Sequence, residues 1–192
     1  MTESQDKKKY TSGIRKIFVQ KLLKKVLSEI IDSNAKNILD VGCGEGFPDR
    51  FLLDRDKDLK IVGIDSSSGS LMKAKKKNPE AEYQEGDIYN LEQFSHKFDL
   101  ILAMEILEHL TTPEKALAQI QFPAQKAIIS VPYEPWFSIF SLFLGKYVKS
   151  LGRHPDHVNC WNKKTLTTLL KKYYPQVKIL FAFPWLIGIC KK

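Results

Sequence analysis

Short apolar runs alternate with helical stretches five times, and that alternation predicts an α/β fold on a largely parallel sheet with right-handed crossovers. The runs are Asn37 to Val41, Leu59 to Asp65, Ala81 to Glu85, Phe98 to Met104 and Lys126 to Val131. Each has strand length and reads as buried on both faces, as strands between two helix layers are. A second observation lies at the end of the chain. Val177 to Phe183 and Leu186 to Cys190 flank Pro184 and Trp185, which predicts a closing antiparallel hairpin. A third precedes the first strand: from Ser12 to Ile31, Ile14, Phe18, Leu22, Val26 and Ile30 recur at helical spacing among Lys and Arg, so an amphipathic helix opens the domain.

A chain of 192 residues, 43% hydrophobic, can fill one core but not two. Residues 1–11 read as a polar tail and residues 12–192 as a single domain. Residues 132–159 form an insertion between the fifth strand and a helix near Lys163 to Tyr173. No secretion signal is expected at the polar N-terminus, and no apolar run reaches the roughly 20 residues of a membrane span. Cys43, Cys160 and Cys190 lie too far apart for a Cys-x-x-Cys pair, so a reduced, cytoplasmic setting is expected. The net charge of +8 suits an anionic partner, but the signal is weak, because Lys16, Lys21, Lys24, Lys25, Lys73, Lys75, Lys76 and Lys77 read more readily as solvated helix faces than as a binding patch.

The most informative segment is LDVGCGEGF, Leu39 to Phe47, which leaves a strand and opens a helix. Gly42, Gly44 and Gly46 allow a sharp turn and close backbone approach to a ligand. The Gly-x-Gly-x-Gly spacing departs from the dinucleotide pattern, and Asp40 just before it would repel a pyrophosphate, so the ligand there is expected to carry positive charge. Asp65 ends the second strand where a carboxylate can accept from two ribose hydroxyls. Ser66, Ser67 and Ser68 after it can cap the next helix. Gly86, Asp87 and Ile88 follow the third strand, and Met104 with Glu105 ends the fourth, so all four segments gather at the carboxyl edge of the sheet.

LDVGCGEG, IVGIDSS, GDIYNL and FDLILAMEILEHL resemble the successive motifs of class I, Rossmann-like S-adenosylmethionine-dependent methyltransferases, over Asn37 to Val131. The resemblance implies a seven-stranded sheet with its last strand antiparallel and helices on both faces. It also implies that Asp40 with Gly42, Cys43, Gly44 and Gly46 holds the methionine part of the cofactor, Asp65 and Ser66 the ribose, and Asp87 with Ile88 the adenine, with Met104 alongside.

Methyl transfer from a sulfonium is a direct displacement, helped by a base when the acceptor is a hydroxyl. Glu105, Glu108 and His109 stand at i, i+3 and i+4, on one face of an expected helix beside the cofactor site. With His157 from the segment HPDHVNCW they are a candidate set for a divalent metal, Mg or Zn, which could lower an acceptor hydroxyl's pKa. His109 is equally a candidate base, and the bland reading makes it a buried, hydrogen-bonded polar residue. The pattern is similar to ubiquinone-pathway O-methyltransferases and to small-RNA terminal 2′-O-methyltransferases. The insertion places Trp136, Phe137, Ile139, Phe140, Leu142, Phe143, Leu144, Tyr147 and Val148 around one helix, followed by Lys146, Lys149 and Arg153, as an interfacial anchor, a lid or a dimer contact would.

The expected activity is O-methylation of a small hydrophobic or lipid-linked acceptor, with peripheral membrane contact through 136–149. Only four arginines and no stacking platform make nucleic acid the weaker acceptor. A metal-dependent RNA 2′-O-methyltransferase and a non-catalytic partner subunit stay open as alternatives. Acceptor identity and oligomeric state depend on pocket shape, which the sequence does not show.

Overall fold

A computed structural model describes residues 13–94 and 97–192. The expected tail, residues 1–11, and Ser12 lie outside the described residues. In chain order the elements are α1 (Gly13–Asp32), β1 (Asn37–Val41), α2 (Phe47–Leu53), β2 (Lys60–Asp65), α3 (Ser68–Lys77), β3 (Glu82–Glu85), β4 (Leu100–Met104), α4 (Pro113–Ile120), β5 (Lys126–Pro132), α5 (Trp136–Phe143), α6 (Lys163–Leu170), β6 (Gln176–Ala182) and β7 (Trp185–Lys191). One-turn 3₁₀ helices interrupt the loops at Glu92–Phe94, Leu107–His109 and Val148–Ser150.

The seven strands lie in the order β3-β2-β1-β4-β5-β7-β6. Neighbours from β3 to β5 are parallel, and β7 runs antiparallel to both β5 and β6. The parallel core and the closing hairpin are therefore both as expected. Alternation of side chains across the pleat splits the core in two. Leu39 and Val41 of β1, with Ile101, Ala103, Ile129 and Val131, pack with α4 and α6. Their neighbours Ile38, Leu100, Leu102 and Ile128 pack on the other face with α1 and α2. Helices thus cover both faces, and the β1–β4 reversal sits at the middle of the sheet, where such folds bind ligands.

Two expectations are corrected. β3 is not buried on both faces: it is an edge strand, and only Tyr83 of its four residues is buried. The stripe of α1 is core from Val19 onward, where Leu22, Val26 and Ile30 are buried, but Ile14 is 48% exposed and Phe18 only partly covered. The first turn of α1 overhangs the sheet instead of packing on it.

Candidate functional site

β1 ends at Val41 and the backbone turns through Gly42 to Gly46 into α2. Gly44 sits at φ +54°, and a Cβ there would meet nothing within 4 Å, so this residue presents bare backbone to open space. Its amide donates to Asp65 Oδ2 at 2.9 Å, while Asp65 Oδ1 accepts from the Ser67 amide at 2.8 Å. The Asp65 carboxylate is thereby held across the glycine turn. The capping task falls to Ser67, whose hydroxyl accepts from the Ser70 amide. Gly46 is glycine for packing: at φ +66°, its missing Cβ would lie 2.6 Å from Asn78 Nδ2 and 2.9 Å from the Tyr83 hydroxyl.

A cavity of about 290 Å³ opens at this edge. Asp40, Gly42, Cys43, Gly44, Glu45, Asp65 and Met104 line it together with Glu105, Ile106, His109, Phe137, Tyr147, His154 and His157. Of the expected cofactor residues, Gly46, Ser66, Asp87 and Ile88 do not line it. Asp87 is exposed, with Oδ1 accepting from the Tyr89 amide at 2.9 Å, and Ile88 belongs to the buried core.

Beneath the glycine turn lies a feature that the sequence reading did not single out. Asp40 and Asp49 are both buried. Burial and the neighbouring Asp49 push the Asp40 carboxyl well above the usual range, and burial raises Asp49 as well. The Tyr83 hydroxyl donates to Asp49 Oδ2 at 2.7 Å and accepts from Asn78 Nδ2 at 2.7 Å. Two carboxyls buried beside each other resist carrying two charges, so the pair holds a proton above the usual carboxylate range. A cationic ligand beside Asp40 would take over that proton's charge.

The folded state therefore holds this proton more tightly than the unfolded chain. The stability it contributes is fully present below about pH 4 and is lost as pH rises toward the elevated folded value. Asp49→Asn removes one carboxylate and keeps an acceptor for Tyr83. Ligand-free Asp49→Asn protein should lose about 1 kcal/mol less than the native chain between about pH 5 and 8, a difference of roughly 2–4 °C in melting temperature. Parallel melting curves for the two proteins across that range would contradict a proton held by the pair.

The expected helix over Glu105 to His109 is instead a single 3₁₀ turn, Leu107–His109. Glu105 precedes it at φ +53°, so the one-face arrangement with Glu108 and His109 does not form. Long-range contacts impose this shape. The amides of Val158 and Asn159 donate to the Glu108 carbonyl at 2.9 and 3.1 Å, and Asn159 Nδ2 donates to the carbonyls of Leu107 and Leu110. The turn is thereby clamped to the 154–159 loop.

The clamp brings Glu108, His109 and His157 together, with one donor atom of each within 4.8 Å of the others. Glu108 and His157 are buried, and His109 is partly open to solvent. His109 Nδ1 lies 3.0 Å from the Asp156 carbonyl oxygen, to which only a protonated nitrogen can donate. That bond leaves the Nε2 lone pair of the neutral ring as ligand or base. The expected group thus keeps three of its four members, without Glu105. It gains a neighbour, His154, whose ring stacks on His157 at 4.7 Å and lies 6.0 Å from His109. The His-x-x-His spacing of 154 and 157 was the available signal for His154. Asp49 carried none, since an acid in the first turn of a helix is ordinary.

The sequence profile of a methyltransferase-domain family matches residues 38–121. The demethylmenaquinone methyltransferase of Thermotoga maritima is 36% identical over 78 residues, 41% of this chain and 34% of that protein. The ubiquinone biosynthesis O-methyltransferase of Coxiella burnetii is 33% identical over 98 residues, 48% of this chain and 41% of that protein. The chain thus spans less than half the length of these curated relatives. Among solved structures, the methyltransferase domain of bacterial CtHen1 superposes with a TM-score of 0.70 at 25% identity, over 91% of this chain and 100% of that one. The sheet order, the glycine turn and the carboxylate at the end of β2 agree with these likenesses: the chain has the Rossmann-like fold of class I methyltransferases, and residues 38–121 match a methyltransferase domain.

Proposed function

We propose that this protein transfers the methyl group of S-adenosylmethionine to a hydroxyl of a small hydrophobic or lipid-linked acceptor. One observation carries the reading: the cavity that the glycine turn and Asp65 border is also lined by His109, with Nε2 left as the base, and by apolar Phe137 and Ile106. Asp40 and Gly44 would hold the cationic methionine end and Asp65 the ribose hydroxyls. The acceptor oxygen forms its bond to the methyl carbon as the sulfur–methyl bond breaks. The electron pair returns to sulfur, and the hydroxyl proton passes to His109 Nε2. Most of the rate comes from holding these atoms in line and dry, which the clamped 3₁₀ turn and the loop over it are placed to do.

The Glu108, His109 and His157 set, one carboxylate and two imidazoles, fits a divalent metal by donor chemistry, and the Nδ1–H of His109 is held by a carbonyl as metal-ligating histidines are. A metal there would lower the pKa of the acceptor hydroxyl. The same set favours a second reading, a metal-dependent RNA 2′-O-methyltransferase.

The fate of the methyl label separates the readings. Incubation with methyl-labelled cofactor and a cell extract should place label in the solvent-extractable, alkali-stable fraction, as a methyl ether. Label confined to the terminal nucleotide of RNA would instead establish the second reading. Label in neither, with cofactor bound, would make the protein a non-catalytic partner subunit.

A further inference from the structure

The amphipathic logic of α1 and α5 fails on the side facing away from the sheet. In α5, Phe137 and Ser141 point inward, four residues apart, and the opposite face carries Trp136, Ile139, Leu142 and Phe143 in the open. Phe143 is 83% exposed, and Val148 and Leu151 in the following turn are 60% and 79% exposed. Among the described residues, six of the thirteen exposed large apolar side chains fall within 136–151, so this is a patch and not the scatter normal for a surface. The first turn of α1 joins it. Phe18 packs edge-on against Phe140 at 4.9 Å and Phe183 at 5.5 Å, and these rings tie α1 to α5. Exposed Ile14 and Ile17 stand next to Phe18 on the same helix.

Charge says what covers this face. Residues 13–28 and 136–153 hold Arg15, Lys16, Lys21, Lys24, Lys25, Lys146, Lys149 and Arg153 and not one carboxylate. Those eight cations equal the formal net charge of the whole chain, so the basic excess is concentrated around the apolar patch. A second copy of the same face would bring these cations against each other. An anionic bilayer answers both features at once, with acyl chains for Ile139 and Phe143 and headgroups for the lysine rim. Arg15, Phe137, Lys146 and Tyr147 line the cavity from these same two segments, so its mouth borders the patch.

We infer that the outer face of α1 and α5 is a docking surface for anionic lipid membranes, which would set the cavity mouth at the lipid boundary. No described helix is long and apolar enough to cross a membrane, so the contact is peripheral. This rests on the patch itself; it deepens the lipid-linked acceptor reading without depending on it.

The test is flotation of the full chain with vesicles of phosphatidylcholine alone or with about a third phosphatidylglycerol. Binding to the anionic vesicles should exceed binding to the neutral ones at least about tenfold and weaken in about 0.5 M salt. Ile139→Ser with Phe143→Ser alters only exposed side chains, and should reduce binding about tenfold or more at unchanged circular dichroism and melting temperature. Lys16→Glu with Lys149→Glu should do the same through charge. Native protein that stays in solution with anionic vesicles overturns the inference, as does undiminished flotation of the serine variant. A concentration-dependent dimer that the serine variant abolishes, without vesicle binding, would assign the face to a second copy. Methyl transfer to a detergent-dispersed acceptor reads the active site separately, so its loss would count against the proposed function and not against the docking face.

Discussion

Asp65→Ala should bind S-adenosylhomocysteine about 10- to 100-fold more weakly than the native chain in titration calorimetry. The Asp65 carboxylate already accepts from the amides of Gly44 and Ser67, one on each oxygen. It is therefore oriented before ligand arrives, with remaining lone pairs for two ribose hydroxyls. Hydrogen bonds to a charged group are worth about 1.5–3 kcal/mol each, and tenfold in affinity is about 1.4 kcal/mol. Losing a pair of them, with some of that loss recovered by water, gives the stated range. Alanine also deprives the Gly44 amide of its acceptor and loosens the turn, so Asp65→Asn is the sharper companion. It retains one acceptor oxygen and should fall between the two. Affinity unchanged within about twofold in the alanine variant would contradict the placement of the ribose.

Most of the fold was legible because its signals are local. The apolar run of β1 begins and ends where the strand does, Asn37–Val41, and the β6–β7 hairpin forms as expected, with its corner one residue early, at Phe183 and Pro184, and Trp185 already in β7. What failed depended on neighbours. Ala81 to Glu85 reads as a strand, but its place at the sheet edge, which leaves only Tyr83 covered, follows from strand order. Ile14 continues the helical period of α1, yet the sheet beneath ends before it.

The site divides in the same way. Asp40, Gly42, Gly44 and Asp65 come together along the cavity because strand-end motifs keep their spacing, whereas Gly46 does not line it. The helix expected from Glu105 to His109 was replaced by a 3₁₀ turn because Val158 and Asn159, some fifty residues later, take the Glu108 carbonyl. Asp49 is buried beside Asp40 and accepts from Tyr83, which joins three elements, and no local pattern announces it.

In the proposed reaction the acceptor hydroxyl loses its proton at the cluster of Glu108, His109 and His157. The most direct measurement is single-turnover methyl transfer by the native chain and by His109→Ala, with the extract fraction that the native chain labels as acceptor. His109 lines the cavity with its Nδ1 committed to the Asp156 carbonyl, and a positioned base or metal ligand contributes about 10²- to 10⁴-fold in rate. S-adenosylhomocysteine affinity, read beside it, guards against a collapsed site and should stay within about twofold. Sensitivity of the native rate to a chelator would assign His109 and His157 to a metal, and a chelator-resistant rate that falls at low pH would assign His109 as the base. In His109→Ala, transfer should fall by at least about 100-fold with cofactor affinity kept. Transfer within a few-fold of the native rate would place the chemistry elsewhere in the cavity and contradict this role for His109.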